Sequence, residues 1–155
     1  YRRFTIYDED GQEIIRMVAT FVLMDRETRK VHPVEPEIVA PYQSEFSKKL
    51  LRGPKYTELE DAISKDYHVR FYDLDMNGHV NNSKYLDWIF EVMGADFLTN
   101  HIPKKINLKY VKEVRPGGMI TSSYELNQLE SNHQVTSDGD INAQAKIIWQ
   151  EINTD

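Results

Sequence analysis

The segment that most restricts the fold runs from Ser83 to Met93 (SKYLDWIFEVM). Tyr85, Leu86, Ile89, Phe90 and Met93 recur at three- and four-residue spacing, the period of an α-helix, with Val92 beside them. Trp88 adds apolar surface on a further side, so this helix is apolar nearly all round and has to be wrapped by other structure. Asn81, Asn82 or Ser83 can cap its start, and Gly94 its end or a pause before Ala95–Leu98. The flanks read as strands. Tyr67-His68-Val69-Arg70-Phe71 alternates before the helix, and after Pro103 come four strand candidates at 105–114, 119–129, 132–137 and 140–152. Arg115-Pro116-Gly117-Gly118 turns the first into the second, and Asp138-Gly139 turns the third into the fourth. In the last of these, Ala143, Ala145, Ile147 and Trp149 alternate with Asn142, Gln144, Lys146 and Ile148. A strand, a buried helix and an antiparallel meander together make an α+β unit.

A different unit precedes it. Residues 4–8 and 14–24 are β-branched and aromatic-rich, and Glu9-Asp10-Gly11-Gln12 between them reads as a hairpin turn. From Met17 to Met24 the second strand is nearly continuously apolar, the pattern of a strand buried on both faces. Asp25 to Lys30 is charged, and Pro33, Pro36 and Pro41 forbid regular ladders. The expected division is 1–42, a polar connector over 43–65, and 66–155. An opening without Met, straight into strand-like sequence, points to a piece of a longer chain.

Composition removes several function classes. The chain has 155 residues and no cysteine, which excludes disulfides, thiolate metal sites and a cysteine nucleophile within it. Net charge is −6, so nucleic acid is not an expected partner. No run approaches 18 apolar residues, so no membrane span is expected, and Tyr1-Arg2-Arg3-Phe4 does not start a signal peptide. The expected setting is soluble and cytoplasmic. Against the acidic trend, Lys104, Lys105, Lys109, Lys112 and Arg115 face Glu113 alone within 104–115, a local net charge of +4. Such a cluster either keeps a strand's outer face wet or receives an acidic partner. Lys48, Lys49, Arg52 and Lys55 form a second cluster.

The densest polar segment is Phe71-Tyr72-Asp73-Leu74-Asp75-Met76-Asn77-Gly78-His79-Val80-Asn81-Asn82. Asp75, Asn77 and His79 occupy alternate positions just before the helix, and Gly78 is expected to let the backbone approach a ligand. A helix start offers unpaired N–H groups and partial positive charge to a developing oxyanion. The competing reading is a capping loop whose Asp and Asn only satisfy turn amides. His68 and His133, lone histidines, are read as structural, and Trp88, Phe90 and Met93 as core. Asp138-Gly139-Asp140 lacks the further spaced oxygens of a calcium loop, and neither a phosphate-cradling glycine loop nor a metal-binding His/Cys set occurs. No cofactor and no metal are expected.

The string Asp73-Leu74-Asp75-Met76-Asn77-Gly78-His79-Val80-Asn81-Asn82-Ser83-Lys84-Tyr85 resembles the entry to the central helix of hotdog-fold thioesterases. It is most similar to the acyl-acyl carrier protein (acyl-ACP) thioesterases of plants and bacteria, where D-x-N-x-H-V-N-N-x-x-Y occupies that place. Leu108-Lys109-Tyr110-Val111-Lys112-Glu113-Val114 resembles the family's L-x-Y-x-x-E-C segment, with Val114 where the Cys often stands. Residues 1–42 look like the closing strands of the family's N-terminal hotdog repeat. D-x-x-G-H-V-N-N alone also occurs in single-domain acyl-CoA thioesterases of the 4-hydroxybenzoyl-CoA type.

The resemblance implies a hotdog fold, an antiparallel sheet wrapped around a central helix. One repeat is essentially complete, preceded by the closing strands of another, and the acyl-chain tunnel lies outside this sequence. It implies hydrolysis of fatty acyl-ACP with Asp75, Asn77, His79 and Glu113 as catalytic positions, Glu113 on the strand after the helix, and the base left open between Glu113 and Asp75. The implied partner is an acyl carrier protein bearing a fatty acyl chain. Lys109, Lys112 and Arg115 are the candidate carrier-binding residues, and a homodimer is also compatible. The setting would be the cytoplasm of a bacterium or the plastid stroma of a plant. An acyl-CoA thioesterase using Asp75 alone, and a non-catalytic acyl-binding module, are the alternatives.

Overall fold

The computed structural model describes residues 1–28, 30–43 and 51–152, in two compact units, Tyr1–Arg52 and Gly53–Asp155. In the first, β1 (Arg2–Tyr7) and β2 (Glu13–Ala19) form an antiparallel hairpin. Asp8 closes its turn, its Oδ1 accepting from the amides of Asp10 (3.1 Å) and Gln12 (2.7 Å), while Gly11 takes the left-handed φ of +75°. The single long strand expected over 14–24 is not formed. β2 stops at Ala19, and Leu23–Met24 (β3) pairs instead with Val31–His32 (β4) around the Asp25 turn. Among the described residues of this unit none is buried, so the expectation of a strand covered on both faces is also corrected. Two-stranded ribbons have no second layer of their own to cover Met17 or Phe21. After β4, Pro36 starts a four-residue helix (α1, Pro36–Val39), where its missing N–H costs nothing.

The second unit holds the core. β5 (Ile63–His68) begins four residues before the expected strand over 67–71 and ends at His68, Phe71 falling in a helical turn; its connection to the helix is followed by α2 (Asn82–Glu91) and a short α3 (Ala95–Asn100). β6 (His101–Tyr110), β7 (Met119–Asn127), β8 (Glu130–Ser137) and β9 (Asp140–Glu151) complete a five-stranded antiparallel sheet, ordered β5-β7-β8-β9-β6. The Asp138-Gly139 hairpin forms as expected, both residues taking positive φ (+53° and +80°). This is the sheet-and-helix arrangement of a hotdog repeat.

α2 is covered on one side rather than all round. Tyr85, Trp88 and Ile89 are buried with Val92 and Met93 beyond them, whereas Asp87 and Glu91 face solvent and Leu86 and Phe90 are half-buried. Its buried side packs with Ile120, Val135, Ile147 and Trp149 of the sheet. Trp149 receives Phe90 and Phe97 edge-on at 5.8 and 5.0 Å between ring centres. Beneath lies a polar chain. Trp149 Nε1 donates to Ser131 Oγ at 2.7 Å, and that hydroxyl lies 2.7 Å from His133 Nε2.

His133 is 1% exposed, and burial pushes its imidazole down to about 4. In the unfolded chain a histidine titrates near 6.5, so between pH 6.5 and 4 the unfolded state binds the extra proton and stability falls with pH. The loss is complete only below the folded value. Urea unfolding at pH 7 and 4.5 is expected to show a drop that is larger in the wild type than in His133→Gln by roughly 2 kcal/mol. Equal drops would show that His133 is not held neutral by the fold.

Candidate active site

The loop between β5 and α2 is held by main-chain bonds to its own acidic side chains. Asp73 is fully buried; its Oδ2 accepts from the Arg70 amide at 2.7 Å and its Oδ1 from Arg70 Nη2 at 3.1 Å. Burial alone would push this carboxyl up, but the Arg70 hydrogen bonds and charge outweigh it and the net shift is downward. The Asp73 carbonyl accepts from the Asn81 amide at 2.8 Å, so one residue fastens both ends of the loop. Inside that frame Leu74 bridges to Val80, and Asp75 and His79 are joined by an Asp75 N–H to His79 carbonyl bond of 2.7 Å. Gly78 stands at φ +74°, where an added Cβ would meet no protein atom within 4 Å. What the fold itself demands of Gly78 is therefore the left-handed turn.

Asp75 Oδ1 accepts from the amides of Asn77 (2.8 Å) and His79 (3.1 Å). The His79 amide is the main cause, and despite some opposing burial the carboxyl is held below the usual range, with Asn77 contributing through both backbone and side chain. The loop is thus a turn satisfied by Asp75, as the capping reading required, and it still presents Asp75 and His79 to a cavity. Asn81 is the helix cap, its Oδ1 accepting from the Ser83 amide at 3.0 Å.

Glu113 arrives from elsewhere in the chain. β6 ends at Tyr110, so Glu113 lies in the loop beyond the strand rather than on it, which corrects the expected placement. Two tyrosines join this loop to the helix start. Tyr85 Oη accepts from the Val114 amide at 3.1 Å, and Tyr110 Oη donates to the Asn82 carbonyl at 2.9 Å, the two rings meeting edge-on at 5.3 Å. Burial raises the Tyr85 hydroxyl, the Val114 amide opposes this, and the Glu113 charge adds to it. Tyr110 is raised by burial and then by Tyr85. Both phenols therefore keep their protons at neutral pH, and Tyr85, already accepting one bond, retains a proton to donate.

Asp75, His79, Val80, Asn81, Asn82, Tyr85 and Glu113 line one open cleft of about 320 Å³ at the first turn of α2. The arrangement brings together Asp75, His79 and Glu113. Asn77 is on the exposed tip, outside that lining, and touches Asp75 through its amide. Two carboxylates, an imidazole and helix-start N–H groups around one space suit water activation beside a polarised carbonyl. Among the described residues no cluster of three His, Cys, Asp or Glu gathers to hold a metal.

The basic residues divide. Lys112, in the loop after β6, pairs with Asp140 at the start of β9. Lys109 alternates with Leu108 and Tyr110, which face α2, so it stands on the opposite side of the edge strand β6. Arg115 is exposed two residues past Glu113. Lys48 and Lys49 of the second cluster lie outside the described residues. Sequence reasoning quoted Tyr85 within the N-N-x-x-Y string but assigned it no part in the site; its spacing of four from Asn81 was the available signal.

The model of the acyl-ACP thioesterase C-terminal domain matches residues 56–151, and that of the N-terminal domain matches residues 1–42. Among curated relatives, an acyl-[acyl-carrier-protein] hydrolase (FATB2, chloroplastic) of Cuphea viscosissima is 33% identical over 114 residues, 66% of this chain and 27% of that protein. The chloroplastic oleoyl-acyl carrier protein thioesterase 2 of Arabidopsis thaliana is 28% identical over 82% of this chain and 37% of its own length. A crystal structure from Lactobacillus plantarum, provisionally described as an oleoyl thioesterase, superposes with a TM-score of 0.83 at 31% identity, covering 97% of this chain and 62% of that one. The 12:0-ACP thioesterase of Umbellularia californica shares the fold at a TM-score of 0.81 and 24% identity, over 97% of this chain and 62% of its own. This chain thus spans about a third of these curated relatives and under two thirds of these structures. With its two matched segments assigned to the N- and C-terminal domains of the same enzymes, the chain belongs to the acyl-ACP thioesterase family.

Proposed function

We propose that the protein hydrolyses the thioester of a fatty acyl-acyl carrier protein, with water activated by Glu113. The observation that carries this is the meeting of Glu113 with Asp75 and His79 around one cleft at the start of α2, although they come from loops over thirty residues apart. Relatives bearing acyl-ACP hydrolase and thioesterase names support the substrate class.

A thioester is an easy leaving-group problem, since a thiol titrates near 8.5. The demands are a nucleophile and a place for the oxyanion. Glu113 takes a proton as the water oxygen attacks the carbonyl carbon. Charge then builds on the carbonyl oxygen, where His79 and the Asn82 N–H at the first helical position offer donors. Collapse breaks the C–S bond, and the thiolate leaves to be protonated by Glu113 or solvent. Asp75 is weakened as a base, because two amides occupy its Oδ1 and lower its proton affinity. Its part is to hold His79, with Asn77 fixing the same turn. Lys109 and Arg115 receive the acidic carrier, and the compartment is wherever acyl carrier protein is charged, a bacterial cytoplasm or a plastid stroma.

Release of free fatty acid from a panel of acyl-ACP and acyl-CoA substrates by the intact protein is the direct test. Glu113→Gln is expected to lower kcat by roughly 10²-fold or more while the melting temperature is kept; Asp75→Asn, which preserves both amide acceptances, is expected to lose less. Wild-type kcat in Glu113→Gln would return the chemistry to Asp75. Hydrolysis of neither substrate class would favour an acyl-binding module.

The carrier surface is tested by charge reversal. Lys109→Glu combined with Arg115→Glu is expected to raise KM for acyl-ACP, weaken its salt dependence, and change acyl-CoA turnover less. Lys112 is left in place, because its reversal would set two carboxylates together at Asp140. Equal losses on both substrates would assign these residues to the cleft instead of the carrier.

A further inference from the structure

β9 does not pair evenly with β8. Val135 opposes Ala143 and Thr136 opposes Ile141, so Asn142 is an extra residue on β9, a β-bulge. A bulge takes its side chain out of the strand's alternation and re-aims it. Asn142, which alternation groups with the outward-facing Gln144 and Lys146, is 1% exposed.

The bulged residue spends its hydrogen-bonding capacity on the loop that carries Glu113. Asn142 Nδ2 donates to the carbonyl oxygens of Lys112 and Glu113, each at 3.3 Å. Its Oδ1 accepts from Ser137 Oγ at 2.8 Å, which fixes the amide's orientation. Its main-chain carbonyl accepts from the amides of Val111 (2.8 Å) and Lys112 (3.2 Å). Residues 111–114 lie outside the sheet and have no ladder to align them; these bonds stand in for one, and Tyr85 takes the amide of Val114.

We propose that Asn142 is the positioning residue for Glu113, holding the base at the cleft from the bulge in β9. This rests on Glu113 acting as the base. Asn142 does not line the cleft, and its effect passes entirely through the backbone on either side of Glu113. Misplacement of a catalytic group by about 1 Å can cost on the order of 10²-fold. Binding by the other cleft walls, Asp75, His79 and Asn82, uses none of these bonds.

In the intact protein, Asn142→Asp keeps the size and the acceptor facing Ser137 but loses the donor to both carbonyls. Ser137→Ala leaves Asn142 in place without its anchor. Asn142→Asp is expected to lower kcat on acyl-ACP by roughly 10²-fold with KM within about twofold, and Ser137→Ala to lower it less. In a Glu113→Gln background either change should remove no more than about a further twofold, since the secured position no longer carries a base. A folded Asn142→Asp with wild-type kcat, or full multiplicative losses in the Glu113→Gln background, would overturn the inference. If Asn142→Asp does not fold, Ser137→Ala compared in the two backgrounds decides by the same criterion. Unchanged kcat in Glu113→Gln alone would instead overturn the assignment of the base, and this inference with it.

Discussion

Two crossed hydrogen bonds at the first turn of α2 hold the cleft together: the Val114 amide to Tyr85 Oη, and Tyr110 Oη to the Asn82 carbonyl. Each links the helix start to the chain leaving β6, and each involves a hydroxyl that burial keeps protonated. Backbone polar groups removed from water must be paired, and here the pairing is made between segments nearly thirty residues apart. Without it the loop bearing Asp75 and His79 and the loop bearing Glu113 would each be locally satisfied and have no reason to face one another.

The Asp75 loop shows how a turn and a site occupy the same residues. Its carboxylate serves two amides of its own loop, which places His79 at the cleft and at the same time lowers Asp75 as a base. In the proposed reaction Asp75 is therefore a positioning carboxylate, its environment having weakened it as a base.

Asn142 extends that logic into the sheet. A bulge weakens a ladder locally, and β9 carries one where it passes beneath the Glu113 loop. The side chain released from the alternation fills its hydrogen-bonding capacity with Ser137, Lys112 and Glu113, so the lost regularity is recovered as fixed loop geometry. In the first unit acidic side chains likewise satisfy the turns at Asp8 and Asp25, but none of the described residues is buried on its two small ribbons.

Much of the architecture was legible in the residues themselves. The period of Tyr85–Met93 marked the helix, the Asp138-Gly139 pair marked its hairpin, and the D-x-N-x-H string marked the loop, because each is a local preference written within a few positions. Strand ends were less legible. β2 stops at Ala19 and β6 at Tyr110, since apolar runs do not say where a pairing partner ends. Three things belonged to tertiary structure alone: that Glu113 lies past its strand yet reaches the Asp75–His79 cleft, that Asn77 stays outside that cleft, and that Asn142 is buried. Alternation assigned Asn142 to water, and a one-residue slip against β8 put it in the interior. Local sequence determines which conformations a segment prefers; the register between distant strands, set by packing of the whole sheet, decides which side chains meet.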